Sequence, residues 1–213
     1  MDLTQKARRF ATAAHESCKQ KRKFTGEPYI VHPTAVVALL QQADPTPEMI
    51  AAAWLHDTVE DTPVTLADIR REFGPKVEEY VEMLTDVQTR SYGGERLHRK
   101  NANLQHSALA CPEAQTIKLC DLIDNSKNIS DYEPSFARQY LVEMSRLLCV
   151  LQQGDAGLLA TARSQCDAAV ALINRRSGDD SWFNTLWQQY EEHFRLAKRP
   201  AEFPSINRHG EDR

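Results

Sequence analysis

Along nearly the whole chain the apolar residues recur with the period of a helix, and no run alternates β-branched and polar residues as a half-buried strand does. Leu3, Ala7, Phe10, Ala14 and Cys18 share one face and predict a helix over about residues 4–19. The segment KRKFTGEPYIVHP follows, and its Gly26, Pro28 and Pro33 predict a loop throughout. Residues 34–42 read as the next helix. Thr46-Pro47-Glu48 is a helix start, with a capping hydroxyl and proline at the first helical position. That helix is expected to run unbroken through MIAAAWLHDTVE. Further helices are predicted over 66–73, 75–87, 95–108, 112–129, 135–152 and 157–175, with a loop at 91–94. After a break at Gly178-Asp179-Asp180, SWFNTLWQQYEEHFRL carries Trp182, Leu186, Tyr190 and Phe194 at helical spacing. The expected architecture is therefore all-α. Residues 1–177 form a helical bundle, 178–199 an appended aromatic-rich helix packed on it or on a second subunit, and 200–213 a frayed tail.

Length and composition narrow this picture only a little. A chain of 213 residues, 41% hydrophobic, buries a core without disulfides or structural metal. The formal net charge of -4 argues against binding along a nucleic-acid duplex, but a local cluster of bases is enough to bind a small phosphorylated ligand. The five cysteines form no CxxC pair and read as reduced, mostly packed thiols of a cytoplasmic protein. Charges interrupt the apolar residues of MDLTQKARRFATAAHE, so this stretch is neither a signal peptide nor a membrane span.

Chemistry concentrates in the helix PEMIAAAWLHDTVED. Residues 49–55 are apolar all round, the mark of a buried helix. Its last turn nevertheless carries His56, Asp57, Glu60 and Asp61, which at roughly 100° per residue fall within an arc of about 140°. Partial burial penalises three carboxylates there, and the helix C-terminus repels them. A divalent cation reverses both penalties. The alternative is that the helix ends early and its acids point into water. A second stripe, Asp121, Asp124, Asn125 and Asn128, lies along the polar side of PEAQTIKLCDLIDNSKNIS. Alone it reads as a solvated face, but with His32, which precedes Pro33, Asp121 could complete a set of two imidazoles and two carboxylates. Such a nitrogen–oxygen set suits Mn²⁺ or a similar borderline metal and leaves positions open for water and substrate.

The blocks GEPYIVHP, AAAWLHDTVEDT, FGPKVEEYVEMLTD and IKLCDLIDN resemble, in order and spacing, the hydrolase domain of Rel/Spo proteins, and most of all the stand-alone small alarmone hydrolases. The resemblance covers about residues 3–151. It implies an HD-domain phosphohydrolase-like fold and manganese-dependent removal of the 3′-pyrophosphate of (p)ppGpp or (p)ppApp. By position, His32, His56, Asp57 and Asp121 match the family's metal ligands, and Glu60 and Asp61 the acidic pair that positions and activates water. Arg22 and Lys23 match a basic pair used at the base and phosphates, and Asn125 a nucleotide-contacting asparagine. Arg99 and Lys100 are further candidate phosphate clamps; like Lys21-Arg22-Lys23, they read equally as solvated surface. Cys120, Asp124, Asn128 and the longer loop at Phe24-Thr25 depart from the family pattern and bear on the nucleotide pocket, not on the ligands. Two other functions fit the same residues. One is an HD-family phosphatase acting on another phosphorylated nucleotide such as NADPH. The other is a catalytically silent nucleotide sensor. In each case the expected partner is a small nucleotide, not a nucleic acid or a membrane, and a homo-oligomer is compatible with the pattern.

Overall fold

The computed structural model describes residues 2–89, 94–131 and 133–198. Among these, eleven α-helices and no strand appear: α1 (Leu3–Ser17), α2 (Val31–Leu40), α3 (Pro47–Leu55), α4 (Thr58–Asp61), α5 (Leu66–Phe73), α6 (Pro75–Leu84), α7 (Arg96–Ala108), α8 (Pro112–Asn125), α9 (Pro134–Val150), α10 (Ala156–Ser177) and α11 (Ser181–Lys198). The all-α expectation holds. One isolated bridge, Lys21 to Pro28, pinches the loop before α2. Residues 91–93 of the expected loop and the expected tail at 200–213 lie outside the described residues.

Helix ends differ from the expected ones for identifiable reasons. α2 begins at Val31, so Pro33 lies in its first turn, where a missing N–H costs nothing because the first four are unpaired anyway. The helix expected to run through His56 and Asp57 stops at Leu55 and restarts at Thr58. At the break, side chains occupy backbone acceptors: His56 Nδ1 bonds the Ala53 carbonyl (2.9 Å) and Thr58 Oγ1 the Leu55 carbonyl (2.7 Å). α6 ends three residues before Val87. α8 stops at Asn125, and Asn128, expected on its polar stripe, turns left-handed at φ 57°. In α1 the buried line is Ala7, Ala11 and His15, while Cys18 lies exposed beyond the helix end. All five cysteines are free, but only Cys120 and Cys166 are buried, fewer than expected.

α3 is the central post. Ala51, Ala52, Ala53, Trp54 and Leu55 are all buried, as an all-round apolar helix requires. Around it pack α1, α2, α6 and α8, with α10 on the far side of α8. α7 and α9 pair beside this group, and α11 lies across both. The loop between α9 and α10 presses on α8 so closely that a Cβ at Gly154 would stand 2.8 Å from Leu119 Cδ1 and 3.2 Å from Thr116 N. Two backbone N–H groups of that loop tie it down: Gln153 N donates to Gln115 Oε1 (2.9 Å) and Asp155 N to Thr116 Oγ1 (3.0 Å).

Candidate metal centre and cleft

Three helices deliver the chemistry to one point. The first turn of α2 brings His32, the break after α3 brings His56 and Asp57, and the last turns of α8 bring Asp121. The two imidazole Nε2 atoms stand 3.2 Å apart. Asp57 Oδ2 lies 3.0 Å from His56 Nε2 and 3.5 Å from His32 Nε2. Asp121 Oδ1 lies 3.1 Å from His32 Nε2 and 3.8 Å from His56 Nε2. His32, His56 and Asp57 form a group able to hold a metal ion.

The hydrogen bonds behind these atoms decide which way they face. A carbonyl oxygen only accepts, so His56 Nδ1 carries the proton it gives Ala53, and Nε2 is the atom turned to the centre. His32 Nδ1 is likewise turned away, donating to Asp124 Oδ2 at 2.6 Å. Lys118 Nζ holds Asp121 Oδ2 (2.9 Å), and Asn125 Nδ2 donates to Asp121 Oδ1 (2.5 Å). Arg22 Nη1 donates to Asn125 Oδ1 (2.9 Å), which fixes the amide with its NH₂ toward Asp121. Tyr29 gives its hydroxyl proton to Asp57 Oδ2 at 2.5 Å. Such outer partners orient metal ligands and tune their basicity.

The electrostatics calls for positive charge at this point. Burial works against charged imidazoles, yet Asp121 and Asp124 raise the pKa of His32, and Asp57 and Asp121 raise that of His56 well above its ordinary value. Burial likewise opposes the carboxylates, but His56 holds Asp57, and Lys118 with His32 holds Asp121, below the usual range. Two nitrogen lone pairs and two anionic oxygens converging in a buried space make a donor set that a borderline divalent ion fits.

Glu60 and Asp61 flank the centre and behave differently. Burial, reinforced by the charges of Asp86 and Asp57, pushes Glu60 up to about 7. Its Oε1 accepts the Asp86 N–H at 2.6 Å. Burial also raises Asp61, whose Oδ2 accepts from Gln20 Nε2 (2.7 Å), while Gln20 Oε1 is held by His15 Nδ1 (2.6 Å).

From this end a cleft of about 600 Å³ runs between α8 and the α7–α9 pair. Asp57, Glu60, Asp61, Asp121 and Asn125 line it, as do Arg99 and Lys100. Arg99 bonds the Gly94 carbonyl, and Lys100 pairs with Asp86 at 3.2 Å. Arg22 and Lys23 stand behind lining residues: Arg22 behind Asn125, and Lys23 with its ammonium 4.5 Å from the Phe136 ring centre. Sequence reasoning missed Lys118, Tyr29, Gln20, Asp86 and the role of Asp124. Lys118 had a signal, since it sits three residues before Asp121 on one helix face. Gln20 and Asp86 reach the site only through the tertiary fold.

An all-helical scaffold joining a His-Asp pair to a distant histidine and aspartate defines a class. The chain belongs to the HD domain family, whose pattern matches residues 7–149. Among curated proteins it is 34% identical over 134 residues to the mouse guanosine-3′,5′-bis(diphosphate) 3′-pyrophosphohydrolase MESH1, spanning 62% of this chain and 73% of that one. It is 38% identical over 125 residues to the Aquifex aeolicus guanosine-3′,5′-bis(diphosphate) 3′-pyrophosphohydrolase, covering 59% of this chain but 17% of that longer protein. A solved structure described as a metazoan ortholog of SpoT that hydrolyzes ppGpp superposes with a TM-score of 0.69 at 27% identity, over 84% of this chain and 97% of its own. No helix among the described residues is long and apolar enough to cross a membrane.

Proposed function

We propose that the protein is a metal-dependent hydrolase that removes the 3′-pyrophosphate of guanosine or adenosine alarmones, with manganese as its ion. The observation that carries this reading is the meeting of two outward-anchored imidazoles, two carboxylates and a near-neutral Glu60 at one end of a cleft whose opposite wall is cationic. The names of the relatives support the same reaction.

His32, His56, Asp57 and Asp121 hold the ion. When bound, it supplies Lewis acidity, offsetting phosphate charge and making water a stronger acid. Glu60, with its pKa pushed up to about 7, takes the proton of the attacking water near neutral pH. Asp61, clamped by Gln20, orients that water. Attack at the phosphorus next to the sugar breaks the bond to the 3′-oxygen. The water oxygen leaves on pyrophosphate, and a proton restores the 3′-hydroxyl. Asn125, with Arg22 and Lys23 behind the cleft wall, serves the nucleoside, and Arg99 and Lys100 serve phosphate.

The test is pyrophosphate release from ppGpp and ppApp by metal-stripped protein resupplied with Mn²⁺, with EDTA as control. Metal-dependent release from either substrate supports the reading, and their ratio gives the base preference. If manganese binds and neither substrate turns over, the substrate assignment fails. NADPH and other 3′- or 2′-phosphorylated nucleotides are then the next candidates, and alarmone binding without turnover would make the protein a sensor.

A further inference from the structure

The wall of the cleft opposite the metal centre is built from three helices far apart in sequence. Arg96, Arg99 and Lys100 lie at i, i+3 and i+4 on α7, so they share one face, and all three line the cleft. Arg96 is held more firmly than an ordinary surface arginine. Its Nε and Nη2 donate to the two oxygens of Glu143 on α9 at 2.6 and 2.8 Å. Among the described residues no hydrogen bond occupies its Nη1 edge.

Glu143 is in turn fixed from behind. Tyr190 of α11, only 1% exposed, donates its hydroxyl to Glu143 Oε1. The Tyr190 carbonyl accepts from Asn101 Nδ2 (3.0 Å), and Asn101 Oδ1 accepts from Arg146 Nη1 (2.6 Å). Arg146 closes the network through Glu191 of α11 at 2.9 Å and lies over the Tyr190 ring. A planar guanidinium held by two bonds on one side is preorganised to offer its remaining edge to a phosphate.

We propose that Arg96, set in place by Glu143 and by Tyr190 of the C-terminal helix, is the specificity-determining contact for the 5′-phosphates of the substrate. This rests on the proposed alarmone reaction. A nucleotide with phosphates at both 3′ and 5′ positions carries two separate anionic groups. One of them must sit at the metal centre, and the other needs cations at a distance, which α7 provides along the same cleft. Arg96 is the contact residue, and Tyr190 is a positioning residue acting through Glu143. α11, which lies beyond the matched family region ending at residue 149, thereby becomes part of the substrate site.

The experiment compares two substrates, one with a 5′-diphosphate and one with a free 5′-hydroxyl, both carrying the 3′-pyrophosphate. Loss of one charge-assisted bidentate contact predicts that Arg96→Ala raises KM for the 5′-diphosphate substrate about tenfold, leaves kcat unchanged and has no effect on the 5′-hydroxyl substrate. Tyr190→Phe is expected to shift KM in the same direction by a smaller factor, and the double variant to equal Arg96→Ala alone. Equal losses on both substrates, or additive effects of the two changes, would assign the network to stability only and overturn the proposal. Should Tyr190→Phe not fold, Arg96→Ala decides alone, because its side chain is 26% exposed and lies at a helix start. If the unmodified protein turns over neither substrate, the proposed reaction has failed. If it turns over both without discrimination, only this inference has.

Discussion

The two ends of the cleft solve the problem of buried charge in opposite ways. At the α7–α9–α11 wall the buried carboxylate and guanidinium groups are paired: Glu143 holds Arg96, and Glu191, helped by the Asn101 amide, holds Arg146. At the α2–α3–α8 end, His32, His56, Asp57, Asp121 and Glu60 converge so that like charges face one another. A paired network holds its shape without a ligand, whereas a convergent one stores an affinity for whatever cation enters. Rigidity at one end and an unmet charge demand at the other are what a site needs to position one part of a substrate and react with another.

The largest expected effect comes from removing a ligand. Asp57→Ala or Asp121→Ala should abolish metal binding, measured by calorimetry, and cut turnover by at least ~10³-fold while keeping a helical circular-dichroism spectrum. Retained activity in either would dissolve the contrast between the two ends. Glu60→Gln comes next, keeping the metal and losing about 10²–10⁴ in kcat, the usual worth of a general base. In the unmodified protein, turnover should rise with pH as Glu60 loses its proton, with a midpoint below 7 because the bound cation favours the carboxylate, and this rise should vanish in the variant.

Stability should separate the ends with opposite signs. Arg146→Ala leaves Asn101 and Glu191 without their cation and is expected to cost about 3 kcal/mol in denaturant unfolding without changing metal affinity. Glu60→Gln should do the reverse in metal-free protein. The Glu60 pKa is raised from an ordinary 4.5 to about 7, so the folded state favours the protonated carboxyl. That contribution is complete below 4.5 and is lost as pH rises through 7. The uncharged amide introduced by Glu60→Gln therefore stabilises by roughly 3 kcal/mol at pH 8 and changes little at pH 4, as thermal melts at the two values would record.

That His32, His56, Asp57 and Asp121 meet was legible in the sequence because their residue types are chemically telling and clustered: His56-Asp57 adjoin, and Asp121 heads a polar stripe. The helix break between Leu55 and Thr58 was not legible, since it depends on side chains outcompeting backbone donors for the carbonyls of Ala53 and Leu55. Nor was the exposure of Cys18, whose place on the buried line His15 takes. The far wall was hidden for a different reason. Arg96, Glu143 and Tyr190 each look like an ordinary polar position on an amphipathic helix, and 47 residues separate each partner from the next. Only packing brings them together. Periodicity located the helices that carry them but held no information about which polar faces meet.

The strap at Gly154 bears on when the site is finished. All four metal-ligand candidates have been synthesised by residue 121, but the N-terminal turn of α8 is still without the loop whose N–H groups close on Gln115 and Thr116. A nascent chain stopped short of Gln153 thus carries all four ligand candidates, with Asp121 on a helix that this loop does not yet hold. Synthesis of about thirty further residues separates possession of the ligands from their final registration, an interval in which this surface is open to chaperones and to adventitious ions.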